Sequence, residues 1–137
     1  MRAYLTTHLT DAAILDDLDT LAAHERGATA AIVGHIAEAD RRRLDAPGYP
    51  SMHAYCLGRL RLSEDAAYRR IQAARVVLQF PGILAELSEG RLNLSAVCLL
   101  APHLTKENAD ELMASAACKS NAEIRESGVI RWGAASS

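Results

Sequence analysis

Residues 51–80 read SMHAYCLGRLRLSEDAAYRRIQAARVVLQF and divide into a helix, a short turn and a second helix. Ser63 is the expected N-cap of the second helix, since its hydroxyl can accept from a backbone N–H that a helix start leaves without a partner. Glu64 and Asp65 follow where the helix dipole favours negative charge. At about 100° per residue, Ala67, Ile71, Ala74 and Leu78 share one face, predicted to be core. Asp65, Tyr68, Arg69, Gln72, Arg75 and Gln79 spread over the opposite face. Guanidinium, amide and phenol groups hydrogen-bond to base edges and phosphates, so residues 64–79 have the pattern of a DNA recognition helix. Arginine and glutamine are also good helix formers in water, which gives the same pattern a purely structural reading.

Charge is distributed unevenly along the chain. Residues 41–75 hold Arg41, Arg42, Arg43, Arg59, Arg61, Arg69, Arg70 and Arg75 against Asp45, Glu64 and Asp65, or 8 − 3 = +5. Residues 1–40 give 2 − 7 = −5 and residues 76–137 give 5 − 7 = −2, which together make the net charge of −2. Every cation of the basic middle is arginine, which forks onto phosphate or guanine where lysine does not. Tyr68, Arg69, Gln72 and Arg75 are therefore the expected contacts to bases or phosphates, with Arg59, Arg61 and Arg70 binding the DNA backbone.

The segments LSEDAAYRRIQAARVV and FPGILAELSEGRLNLSAVCLLAPHLT resemble the helical N-terminal region of bacterial HNH-endonuclease-type proteins related to the DUF222 group. Residues 89–95, EGRLNLS, bear a further likeness to the segment that follows the helix-turn-helix of ParB partition proteins. The resemblance covers roughly residues 30–125 and implies a helical, DNA-associated module. In HNH-type relatives a His-rich, metal-binding nuclease segment follows this region. No such segment is present by Ser137, so the catalytic part is expected to be missing. A second departure is Arg61, which stands in the turn where such motifs place glycine. Either the turn avoids a left-handed residue or Arg61 adopts one at a cost in strain.

Working outward, 137 residues suffice for one domain with a real core. Alanine and leucine dominate, aromatic residues are few and β-branched alternation is lacking, so the fold class is all-α: one long N-terminal helix followed by a pack of short helices. Thr10 and Asp11 begin the long helix, about 11–44, in which Ile14, Leu18, Leu21, Ile32 and Ile36 recur near helical spacing. Gly27 is the place where it could divide in two. Its apolar face exceeds what the short helices can cover, which predicts a homodimer built through this helix. Asp16, Asp17 and Asp19 near its start and Arg41, Arg42 and Arg43 at its end complement the dipole.

Pro47, Gly48 and Pro50 mark a loop, after which Ser51 caps the first helix of the pair with Tyr55 and Leu60 facing inward. His53 reads as a solvated first-turn residue. Beyond Phe80, Pro81 and Gly82 start a short helix that Gly90 ends, Ser95 caps another to about Ala101, and Thr105 caps a third with Ala109, Leu112, Met113 and Ala116 buried. Ser120 caps a last one that Gly128 closes. Residues 1–128 are thus read as a single helical domain and 129–137 as a tail that Trp132 could anchor.

Enzymatic chemistry has no visible constellation. His8, His24, His35, His53 and His103 are scattered without zinc-ligand spacing, and no phosphate loop, nucleophile elbow or Cys-His pair appears. No metal or cofactor is expected. Cys56, Cys98 and Cys118 are odd in number and widely spaced, as buried free thiols in a reducing cytoplasm would be. No apolar run approaches the ~20 residues of a membrane span. The expectation is a non-catalytic, cytoplasmic module binding double-stranded DNA. The alternative is a protein–protein interaction or oligomerisation module left from a nuclease-type protein, and a third reading is a nuclease part completed by a separate catalytic chain.

Overall fold

Seven α-helices and a single 3-10 turn make up the described part of the chain, with no strand among the described residues; the structure is a computed structural model that describes residues 6–126. Gly128 and the tail with Trp132 lie outside the described residues. Helix α1, Asp11–Arg42, starts where Thr10 holds an extended backbone and its hydroxyl accepts from the Ala13 N–H at 3.1 Å. It passes through Gly27 without a break. The two interior glycines weaken it by about 1 kcal/mol each. Burial of Ala30, Val33, Ile36 and Ala37 against α3 and α4 holds the C-terminal half. The half before Gly27 is mostly exposed, with Ile14, Leu15, Leu18 and Leu21 at 37, 64, 56 and 59% exposure.

The helix ends at Arg42 because Arg43 turns left-handed, with φ 53°, and sends its N–H back to the carbonyls of Ala39 and Asp40. In the loop that follows, the Tyr49 ring meets Tyr55 edge-on at 5.4 Å. Tyr49 also lies over Gly58, where a Cβ would come within 2.6 Å of its ring, so glycine is required there by close approach.

Helix α2, Met52–Gly58, is capped by Ser51 and α3, Glu64–Gln79, by Ser63, whose hydroxyl accepts from the Ala66 N–H at 3.1 Å. Helix α3 lies at the centre of the fold, in contact with α1, α2, α4 and α5. This rotates its buried arc away from the expected one. Ala67 and Ala74 are buried as predicted, but Ala73, Val76 and Val77 complete the arc, Ile71 is half-buried and Leu78 is 41% exposed. A helix packed on one side would bury a single stripe, whereas α1 and α5 enclose α3 from two directions. Leu60 likewise points outward, at 41% exposure, while Tyr55 is half-buried.

Phe80, Pro81 and Gly82 form the entry to α4, Ile83–Glu89, which Gly90 closes in a left-handed conformation with φ 80°. Helix α5, Leu94–Leu100, is capped by Asn93 and not by Ser95, since the Asn93 Oδ1 accepts from the Ala96 N–H at 2.8 Å. Asn93 satisfies the orphan donor two residues earlier, and Ser95 falls inside the helix. A 3-10 turn, Ala101–His103, leads to α6, Ala109–Ala116, through a reciprocal lock between Thr105 and Asn108. The Thr105 hydroxyl accepts from the Asn108 N–H at 3.1 Å, and the Asn108 Oδ1 accepts from the Thr105 N–H at 2.7 Å. Helix α6 itself starts behind Asn108, three residues beyond the cap predicted at Thr105; Thr105 instead closes the preceding turn, with asparagine in the place a capping box gives to Glu or Gln. Ala109, Leu112 and Ala116 are buried and Met113 half-buried. Ser120 and Glu123 form the same kind of pair at the start of α7, Asn121–Glu126, and its Ile124 is fully buried. No helix among the described residues is long and apolar enough to cross a membrane.

Candidate nucleic-acid interface

The turn between α2 and α3 contains Arg59 and Arg61, and both are exposed. Arg61 takes the left-handed option, with φ 58°. The reversal there lets the Leu62 N–H return to the Cys56 carbonyl at 3.0 Å, closing the end of α2. Left-handed backbone places a Cβ against the following carbonyl at about 1–2 kcal/mol, a cost glycine avoids.

On α3, Tyr68 is 56% exposed and Arg75 and Gln79 are exposed beside it. Gln72, on the same face, is half-buried. Arg69 and Arg70 do not join this group. Both line a cavity on the other side of α3, bounded by α1 and the segment before α5, and Arg70 is half-buried with its Nη1 donating to the Ala66 carbonyl at 3.0 Å. The expectation that Arg70 reaches outward is therefore corrected. Residue 70 falls within the arc of α3 that α1 and α5 enclose, so its stem is covered while its head reaches the cavity.

A cation absent from the expected set takes part instead. Arg43 shares a cleft of about 220 Å³ with Arg75, lined also by Asp40, Asp45, Tyr49 and Ile71. The end of α1 and the middle of α3 are distant in sequence, and only their packing brings these two guanidiniums together. The signal available beforehand was the Arg41–Arg43 triplet, whose members separate in the structure. Arg41 and Arg42 both bind Glu38, at 2.5 and 2.6 Å. Those hydrogen bonds, from Arg41 and then Arg42, hold the Glu38 carboxyl down at about 2. Arg43 makes no ion pair among the described residues.

The same is true of Arg59, Arg61 and Arg75, while Arg91 is held by Glu86 and Glu89. Arg43, Arg59, Arg61 and Arg75 are all exposed and thus keep their donor capacity. The opposing charge sits at the start of α3, where Glu64 and Asp65 are exposed and Glu64 Oε2 lies 3.1 Å from His53 Nε2. His53 is a first-turn residue of α2 with its side chain 45% exposed, as expected, and its ring lies within hydrogen-bond distance of that largely exposed carboxylate. A polyanion would be repelled from the first turn of α3 and attracted toward Arg75.

Among the described residues no group of three or more His, Cys, Asp or Glu side chains is placed to hold a metal ion. Cys56 is buried and Cys98 half-buried, and burial raises both thiols above their ordinary range, which disfavours the nucleophilic thiolate. Cys118 departs from the expected burial: it is exposed, with φ 62°. Comparison with known proteins finds no matching family model, curated protein or solved structure.

Proposed function

We propose that this chain is a non-catalytic helical module that binds double-stranded DNA through Arg43, Arg59, Arg61, Tyr68 and Arg75. The observation that carries the reading is the pair Arg43 and Arg61. Each occupies a left-handed position suited to glycine, and each is exposed and without an ion pair among the described residues. The left-handed turns serve as helix ends, but an arginine at a position where glycine would be less strained adds no ion pair to the fold and suits a surface that meets phosphate. Arg75 and Tyr68 extend that surface along α3. The three free cysteines suit a reducing cytoplasm.

Binding should weaken with salt, each engaged arginine adding about −0.9 to the slope of log affinity against log salt. Anisotropy of a labelled duplex at about 50 and 200 mM salt tests this. Arg61→Ala and Arg75→Ala should lower affinity and flatten the slope. No binding by the wild type, or a slope unaltered by both substitutions, would refute the reading.

A second reading, compatible with the first, rests on the uncovered half of α1. Ile14, Leu18 and Leu21 recur at the spacing of a two-helix seam and remain exposed. The occupant proposed for that seam is a second copy of the chain. Asp11, Asp16, Asp17 and Asp19 crowd the start of the helix, so like-charge repulsion favours an antiparallel pair. Sedimentation should show a dimer that Leu18→Glu dissociates without loss of helicity, and a wild-type monomer at high concentration would exclude it.

A further inference from the structure

Arg69 and Arg70, turned away from the proposed DNA surface, meet Arg26 of α1 in a cavity of about 420 Å³ that also receives Glu25, Thr29 and Asn93. Its charged lining is three guanidiniums against one carboxylate, 3 − 1 = +2. None of the three arginines makes an ion pair among the described residues, Glu25 included. The Arg70 Nε–H is buried and has no hydrogen-bond partner. Three cations lining one cavity with a single unpaired carboxylate repel one another, and a buried donor left unused is costly.

The bare backbone at Gly90 leaves room for Arg26 here. Gly90 has φ +80°, and a Cβ there would lie 2.8 Å from Arg26 Nε and 2.9 Å from its Cδ. The Arg26 side chain therefore runs directly over the bare glycine, which brings α1 within reach of two arginines from α3. This convergence is tertiary, since residues 26 and 69 share no local element.

We infer that this cavity is an anion site for a phosphate group, free or at the end of a phosphomonoester. A tetrahedral dianion would neutralise the +2 lining and accept from several guanidinium donors at once, arginine being the side chain whose fork matches phosphate. Thr29 and Asn93 add neutral polar groups to the wall. The volume exceeds that of a bare phosphate and leaves room for a small organic group. The inference does not rest on DNA binding, because the two sites lie on different sides of α3 and share no arginine.

The test is calorimetric titration of the full chain with inorganic phosphate at constant ionic strength, accompanied by thermal unfolding. Saturable binding and a rise in Tm are expected, with chloride giving neither. Arg26→Ala and Arg69→Ala, both at exposed positions, should weaken phosphate binding about tenfold or more, the loss of a charge-assisted bond. Gly90→Ala, which displaces Arg26, should act in the same direction, and Arg61→Ala should leave phosphate binding intact while affecting duplex affinity. A short oligonucleotide bearing a 5′-phosphate, compared with its unphosphorylated form, identifies the source. Tighter, Arg26-dependent binding of the phosphorylated form indicates a nucleic-acid terminus, and equal binding of both forms indicates free phosphate. Absence of saturable phosphate binding, or binding unchanged in both Arg26→Ala and Arg69→Ala, overturns the assignment.

Discussion

Replacing Arg61 by glycine should make the protein more stable and a weaker DNA binder, an opposition that separates structure from function at one residue. Arg61 sits at φ 58° and is exposed, with no ion pair among the described residues, so truncation removes no ionic contact. Left-handed backbone costs a non-glycine residue about 1–2 kcal/mol. Glycine recovers that strain but loses about 0.5–1 kcal/mol through the greater freedom of the unfolded chain. The balance is a gain of roughly 0.5–1 kcal/mol for Arg61→Gly. Urea denaturation followed by circular dichroism measures it as a shift of the midpoint at constant m-value. Arg61→Ala is the companion variant: it keeps the strain and should leave stability within about 0.5 kcal/mol of wild type. On duplex DNA both variants should flatten the salt dependence by about 0.9 of slope. If Arg61→Gly destabilises the protein, the left-handed turn is not a site of strain. If it leaves DNA affinity unchanged, Arg61 is not part of a phosphate-binding surface.

Asn93→Ala should destabilise the chain by about 1 kcal/mol and Ser95→Ala by far less, because only the first removes the cap of α5; paired urea melts distinguish them. Asn108 is 3% exposed and also donates from Nδ2 to the His103 carbonyl at 2.9 Å. Asn108→Ala should cost about 2–3 kcal/mol by leaving the buried backbone groups of that turn without partners, again read by denaturation. Glu38 has a folded-state pKa held down at about 2, so its contribution is present above the ordinary carboxylate range and is lost as pH falls toward 2. Glu38→Gln should remove that acid-sensitive component from a pH series of thermal melts. By freeing Arg41 and Arg42 it should also tighten duplex binding, an increase that anisotropy detects.

The helical class, the start of α1 at Thr10, the caps at Ser51 and Ser63 and the stop at Gly90 were all legible in the chain, because a cap or a left-handed stop depends on residues within one turn of itself. The basic middle was legible for the same reason, being a count along the sequence. The buried side of α3 was legible only in part, at Ala67 and Ala74, since a period of 3.6 residues marks a single stripe only when neighbours press from one direction. Helices α1 and α5 enclose α3 from two, drawing Ala73 and Val76 inward and leaving Leu78 out. The same packing divided the arginines. It covered the stem of Arg70, joined Arg69 and Arg70 to Arg26 in one cavity, and set Arg43 beside Arg75 in another. Charge is a property of the sequence, but the partner a charge meets depends on contacts between residues far apart in the chain, and only the folded structure determines those.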